Sequence, residues 1–360
     1  MKVLHVLHTP RAEGTVRLAL DWLTQSGLDQ EVLVLNSNPA EMTEELRSRA
    51  AWFTQGEKFP AGPRKFPWML AKVWRVCRQR QPDLVICWMN GFSPWVFAGA
   101  WLAGTPKLIT HGGNPPAWNP MGRIYTVFCT FVTWVTGGRM VCCSHYVAGE
   151  FARSPGVFSS VLRVVYNCAP VTLIRAAAAE ARAQRKDHRP RLIMVATLES
   201  HKDHATLLKA MPAVVRAVPA VQLWLAGDGS LRDHLENLSA SLGLTETVTF
   251  LGSRRDVPAL LGQSDVFVFS TTREEGLGTV LIEALAAGLP IVASDVPACA
   301  EALAHGRWGT LVSPADPEAL AAALIASLQT KSCAETSERS DYLQQFSPAC
   351  MMAAYVAATS

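Results

Sequence analysis

The stretch REEGLGTVLIEALAAGLP, residues 273–290, sets Glu275 and Glu283 eight residues apart across Gly276 and Gly278. It follows the apolar run DVFVFS, and its second half has the apolar spacing of a helix. At 100° per residue Leu281, Ile282 and Leu285 share a core-facing side, and Glu283 points roughly opposite, beside Val280 and Ala287. The two glycines let backbone come close at the helix start, where free N–H groups and the dipole favour a phosphate. There Glu275 could accept hydrogen bonds from a sugar and Glu283 from a ribose diol. A helix-start carboxylate followed by a solvated one would leave the same spacing, so the pattern alone holds both readings open.

A second charged loop lies in VATLESHKDHATLLKA, residues 195–210, a strand, a short loop and a helix start. Lys202 is placed there to meet a phosphate as a point charge. His201 and His204 have no neighbouring metal ligands, and Asp203 suits the helix cap. In LITHGGNPP, His111 falls just past a strand against two glycines, and ligands bind at that end of an open α/β sheet. Gly14 occupies the first strand-to-helix turn, another place for a phosphate to approach. AGDGSLRDHL fails as a dinucleotide fingerprint, because Arg232 stands where the third glycine belongs, so a tight turn is expected.

These loops need a scaffold, and the rest of the chain supplies one. KVLHVL, EVLVLN, DLVICW, KLIT, RMVCC and RVVYN read as buried strands in the first half; RLIMVAT, VQLWLAGD, TVTFLG, DVFVFS, PIVASD and GTLVS do so in the second. Helical patterns separate them, which predicts parallel sheets covered on both faces. Two such series in 360 residues predict two Rossmann-like α/β domains, 1–172 and 191–335. An Ala-rich, then charged stretch, 173–190, is expected to link them, and 336–360 ends in an apolar helix.

Composition narrows the class. The chain is 49% hydrophobic and 18% charged with a net charge of +3, which gives no ground for a nucleic-acid partner. The nine cysteines lack paired or metal-like spacing, and no secretion signal is visible, so a cytoplasmic location is expected. The longest apolar run, residues 124–137, is about four residues short of a membrane span. From Glu57 to Arg80 there are seven Lys or Arg and one acid, and Arg64–Arg80 carries Trp68, Leu70, Val73, Trp74 and Cys77 at helical spacing. A helix of that kind could rest on an anionic membrane at the inner face of the cell membrane, or simply cover the sheet with a solvated basic face.

Together these stretches resemble the retaining glycosyltransferases of family 4, which have the GT-B fold. The carrying motif is E-x7-E, Glu275 to Glu283, within EEGLGTVLIEALAAGLPIVAS; HKDHATLLKA, LWLAGDGSLRDHL, VTFLGSRRDVPALLGQSDVFVFS and GTLVSPADPEALAAAL support it. The first half is thinner: Gly14, PDLVI, THGG, CCSHYV and VVYNCA. The resemblance implies two facing domains with a nucleotide-sugar in the cleft, the donor on the second, the acceptor on the first, and the last helix crossing back. It implies Glu275 at the donor sugar and Glu283 at the ribose, with Lys202 and the Gly276 and Leu277 N–H groups at the diphosphate. Gly278 shapes that turn, Gly252, Ser253 and Arg254 would lie near the base, and His111 near the transferred sugar. It implies no metal cofactor and a glycan or lipid-linked acceptor. Three positions depart from the pattern: Thr197 replaces an arginine that would bind the diphosphate, Gly14 follows Glu13 instead of a second glycine, and Cys168 replaces a glycine. A nucleotide-sugar epimerase on the same plan, or a relative that binds without catalysis, are the alternatives.

Overall fold

The computed structural model describes every residue except 12, 13, 25, 26, 57, 58, 117, 118, 331–335 and 360; Glu13 and Cys333 therefore lie outside the described residues. The chain forms two compact units, Met1–Cys168 with Pro348–Ser360, and Ala169–Ser347.

Unit 1 is built on seven parallel strands: β1 (Lys2–Leu7), β2 (Asp29–Val34), β3 (Trp52–Gln55), β4 (Leu84–Cys87), β5 (Lys107–Gly112), β6 (Arg139–Cys142) and β7 (Leu162–Val164). Their order is β3-β2-β1-β4-β5-β6-β7. Its helices are α1 (Gly14–Leu23), α2 (Thr43–Arg49), α3 (Lys65–Arg80), α4 (Ser93–Leu102), α5 (Pro120–Val135) and α6 (His145–Arg153). Side chains alternate across a strand, so each sheet face has its own core. Val3, Leu7, Val32, Val34, Leu84 and Ile86 pack with α1 on one face. Leu4, Val6, Leu33, Val85 and Cys87 pack on the other with Met69 and Val73 of α3 and Phe97 of α4. Both faces are dry, which is why these strands are continuous apolar runs instead of alternating ones.

Unit 2 has six parallel strands: β8 (Arg191–Val195), β9 (Gln222–Ala226), β10 (Val248–Gly252), β11 (Val266–Phe269), β12 (Ile291–Ser294) and β13 (Thr310–Val312), in the order β10-β9-β8-β11-β12-β13. Its helices are α7 (Val171–Gln184), α8 (His204–Ala217), α9 (Arg232–Ser241), α10 (Val257–Gly262), α11 (Thr279–Ala286), α12 (Pro297–Ala302), α13 (Pro317–Thr330) and α14 (Ser337–Gln344). The last helix, α15 (Pro348–Ala357), belongs to unit 1.

Several boundaries differ from those expected. Residues 173–190 are not a plain linker: α7 buries Ile174, Ala178 and Ala181, and Gly262 lies so close to Ala178 that a Cβ there would sit 2.2 Å from the Ala178 carbonyl oxygen. Alanine is small enough for that approach, so the Ala-rich run is a packing face of unit 2, which starts at Ala169. Residues 336–360 divide, α14 staying with unit 2 while α15 lays Met351 and Tyr355 into the core beside α1. β3 was not expected; its four residues are only half-buried at the sheet edge. In α3, Met69, Val73, Val76 and Cys77 are buried in the core and Trp68 and Leu70 are half-buried, while Trp74, Arg75 and Arg78 remain exposed, so only part of the apolar side expected to meet a membrane from Arg64–Arg80 is covered. Among the described residues no helix is long and apolar enough to cross a membrane.

Candidate functional site

In unit 2 the strand order reverses at the β8–β11 pair, and loops leaving the carboxyl ends of these two strands frame a crevice where open α/β sheets take ligands. The loop after β8 carries Lys202; the loop after β11 carries Glu275. They meet: the Lys202 ammonium donates to Glu275 Oε2, with side-chain exposures of 16% and 8%. Two bonds tie these loops to each other, and a third ties the second loop to the end of β12. Thr271 Oγ1 and the Thr272 N–H both donate to the His201 carbonyl, at 2.8 and 3.0 Å, and the Thr271 N–H donates to Ser294 Oγ at 3.0 Å. Asp203 caps α8, as its type and position suggested, accepting from the Thr206 N–H at 3.3 Å.

The glycine loop is arranged differently from the sequence expectation. Gly276 N–H and Gly278 N–H are not held open for a phosphate; both donate to Glu275 Oε1, at 3.1 and 3.2 Å. The carboxylate folds back and caps the turn it introduces. Gly278 sits at φ +70°, and a Cβ there would press on Leu281 and Phe269 at 3.1 and 3.2 Å, so glycine is needed for this turn. A carboxylate has about four acceptor positions, and three are filled, which leaves one on Oε2. Lys202 likewise keeps two of its three N–H donors after its bond to Glu275. The Leu277 N–H, lying between the two that Glu275 takes, is not claimed by that carboxylate. Burial by itself would raise the Glu275 carboxyl, but the Lys202 ammonium and these hydrogen bonds outweigh it and hold the group below its ordinary value. The pair is therefore charged and fixed before any ligand arrives.

Glu283 stands half-buried on α11, at its fifth residue and eight residues past Glu275. Its expected neighbour Ala287 is buried, its carbonyl accepting from Arg182 at 2.7 Å. Thr197 is exposed beside the close approach of β8 and β9, where a Cβ on Gly227 would lie 1.9 Å from the Ala196 carbonyl oxygen. The Gly227 N–H also bonds the Gly252 carbonyl at 2.8 Å, so Thr197 and Gly252 frame one end of this sheet, with Ser253 exposed next to them. Arg254 is paired with Asp256 at 2.6 Å. Lys202, Glu275, Gly276 and Gly278 are thus joined by direct bonds, while Glu283 stands on α11 and Thr197, Gly252 and Arg254 follow the carboxyl ends of β8 and β10.

In unit 1, His111 lies inside β5 instead of past it, because pairing to β6 continues through His111 and Gly112. Its ring is buried, and burial pulls it down to about 4, so it is neutral at physiological pH. Nδ1 is hydrogen-bonded to the Tyr355 hydroxyl at 2.8 Å, while Nε2 has no partner among the described residues. The histidine lines a pocket of about 300 Å³ with Thr15, Trp88, Asn90, Gly113 and Asn114. Gly14 begins α1 next to Thr15, with open space where a side chain would stand. Tyr355, Thr271 and Thr272 were missed from the sequence: a tyrosine in an apolar helix and threonines in a polar loop look ordinary until their partners are known.

Comparisons with known proteins identify the family and the fold. Residues 12–173 match the family model described as Glycosyltransferase Family 4, and residues 189–330 match Glycosyl transferases group 1. A phosphatidyl-myo-inositol mannosyltransferase of Mycobacterium leprae is 39% identical over 133 residues, 36% of this chain and 35% of the relative. A GDP-mannose-dependent alpha-(1-6)-phosphatidylinositol monomannoside mannosyltransferase of Mycolicibacterium smegmatis is 30% identical over 268 residues, 67% of this chain and 66% of the relative. The chain thus spans from about a third to just under two thirds of the length of these curated relatives. The structure of Anabaena Alr3699/HepE in complex with UDP and glucose superposes with a TM-score of 0.84 at 19% identity, covering 99% of both chains. With two parallel Rossmann-like sheets, the E-x7-E loop at the second sheet's switch point and both halves matched, the chain belongs to the family 4, group 1 glycosyltransferases of GT-B fold.

Proposed function

We propose that the protein is a retaining glycosyltransferase that moves a hexosyl or N-acetylhexosaminyl group from a nucleoside-diphosphate sugar to a glycan or lipid-linked acceptor, in the synthesis of bacterial cell-surface polysaccharide or glycoconjugate. The observation that carries the reading is the Lys202–Glu275 pair fixed at the β8–β11 switch point. Unit 2 holds the donor: Lys202 and the Leu277 N–H meet the diphosphate, the remaining Oε2 position of Glu275 accepts from a sugar hydroxyl, and Glu283 takes the ribose diol. Gly252, Ser253 and Arg254 border the base. Unit 1 holds the acceptor, with His111 turned to the transferred sugar. As the bond from C1 to the diphosphate oxygen breaks, the acceptor oxygen bonds C1 on the same face. Its proton passes to the departing diphosphate, so configuration is retained. Negative charge grows on that leaving group, and Lys202 with the Leu277 N–H stabilises it, a role that needs no metal cofactor. Thr197 supplies no positive charge where an arginine would.

A panel of nucleoside-diphosphate sugars tests the reading. One donor is hydrolysed slowly without acceptor, faster with one, and at the same rate in EDTA, with the anomer retained in the product. Epimerised nucleotide-sugar as the sole product would replace transfer with epimerisation. Binding of every donor without turnover would leave a non-catalytic relative.

A surface on unit 1 supports a lipid-linked acceptor and a location at the inner face of the cell membrane. Helix α5 exposes Met121, Ile124, Phe128, Phe131, Trp134 and Val135, residues spaced along one side of a helix; Met121 and Ile124 are 81% and 73% exposed. Trp101 and Leu102, also exposed, end the neighbouring α4. From Pro60 to Arg139 the chain has nine Lys or Arg and one acid, Asp83. An apolar helix side in so basic a segment suits the surface of an anionic bilayer. Ile124→Ser with Trp134→Ser is expected to lower binding to phosphatidylglycerol vesicles by at least about 10-fold, since each side chain contributes on the order of 1.5–3 kcal/mol when buried. Equal binding by the double variant would remove α5 as the contact.

A further inference from the structure

The bond from Tyr355 to His111 joins residues 244 positions apart, the one on the last helix, the other on the central sheet of the same unit. Both are fully enclosed, Tyr355 standing edge-on to Trp22 at 5.0 Å and nearly parallel to Trp88 at 6.1 Å. The Trp88 indole N–H is already given to His5 Nδ1 at 3.0 Å, so it does not compete for the histidine. Two arrangements of the Tyr355–His111 bond are conceivable. If His111 donated from Nδ1, the tyrosine proton would need another acceptor, and His111 is the hydrogen-bond partner of this hydroxyl among the described residues. A buried O–H left without an acceptor costs about 1–3 kcal/mol. If Tyr355 donates, its proton is satisfied and the histidine proton goes to Nε2, so one buried atom, Nε2, is left without a partner among the described residues, where the first arrangement leaves two.

We propose that Tyr355 is a positioning residue: its hydroxyl donates to His111 Nδ1 and holds the imidazole of this pocket-lining residue in the tautomer that carries N–H on Nε2. The histidine is then a neutral hydrogen-bond donor, suited to an oxygen of a carbohydrate and unsuited to take a proton from one. Burial, which keeps the ring uncharged, agrees with that role. The functional half of this inference rests on the glycosyltransferase reading; the tautomer does not.

The test is long-range ¹H–¹⁵N correlation on the full chain labelled at histidine, with His111→Gln identifying the His111 signals. Wild type is expected to show Nδ1 as an acceptor and Nε2 protonated. Tyr355→Phe keeps the ring and removes only the hydroxyl, and is expected to show a mixture of tautomers. With a working donor, kcat of Tyr355→Phe falls about 10- to 100-fold, the cost of a mispositioned group, while affinity for the free nucleoside diphosphate is unchanged. A wild-type signal with the proton on Nδ1, or a Tyr355→Phe spectrum equal to wild type, overturns the proposal, and the wild-type spectrum decides even if the variant does not fold. Absence of turnover on every sugar nucleotide would instead sink the transferase reading and leave the spectrum to be judged alone.

Discussion

Lys202→Met is expected to reduce donor turnover by about 10²- to 10³-fold, the usual consequence of removing one preorganised group from a developing negative charge. The ammonium itself lies over the Phe269 ring, 5.2 Å from its centroid, so methionine, which keeps most of the stem, removes this cation–π contact together with the charge. The same substitution has a signature in stability. Removing one partner of a buried pair costs about 3–5 kcal/mol, because Glu275 is left charged in a site that excludes water. In the wild type the Glu275 carboxyl is held below its ordinary value, so its contribution is present above the unfolded pKa and is lost as pH falls through the folded one. Without the ammonium, burial prevails and lifts the folded pKa above the unfolded one. The variant then gains relative stability on acidification, where the wild type loses it. Urea unfolding of both proteins from pH 7 to pH 4 should therefore show the gap closing. A gap that stays constant would mean that the pair is not charged at neutral pH.

Gly227→Ala is expected to be as damaging to unit 2 as any single methyl group in the chain. Its φ of +148° lies outside the range that L side chains adopt readily, and the new Cβ would sit 1.9 Å from the Ala196 carbonyl oxygen, part of backbone that bonds the Ala226 carbonyl at 3.0 Å. Neither atom belongs to a flexible side chain, so relief requires β8 and β9 to part at their carboxyl ends. Strain of this type and overpacking each cost about 1–3 kcal/mol, and here they add. The displaced loop carries Thr197 and leads to Lys202, so nucleotide binding should weaken together with stability. Gly243→Ala is the control: φ is +70° but nothing lies within 4 Å of the added carbon, and the cost should stay at about 1–2 kcal/mol, that of the conformation alone. Equal melting temperatures for the two variants would show that the β8–β9 approach relaxes freely.

Sequence was a good guide where burial is uniform and a poor one where a residue's role depends on a distant partner. KVLHVL and DVFVFS are apolar enough to be strands in any context, and they are strands, because both sheet faces are covered. WFTQ was passed over as β3 because an edge strand that is half-buried needs no apolar run. The Ala-rich segment of α7 resembled a connector since alanine has little apolar surface to announce a packing face; its role comes from Gly262 admitting it. At the candidate site, the types and spacing of Glu275, Gly276, Gly278 and Lys202 were legible, as was their place after strands. What could not be seen is that they spend part of their hydrogen bonding on one another, because Lys202 and Glu275 are 73 residues apart in sequence. Tyr355 was invisible for the same reason at a longer range.

The route of the chain has a consequence for its birth on the ribosome. Unit 2 is one uninterrupted stretch, Ala169–Ser347, whose two ends are fastened together where the Ala169 N–H bonds the Phe346 carbonyl at 2.8 Å. Unit 1 precedes it in the chain yet lacks Met351 and Tyr355, which fill its core beside α1 and Trp22, until α15 has been made. The second half to be translated can therefore finish folding before the first, and the early half waits with one sheet face unsealed until α15 arrives.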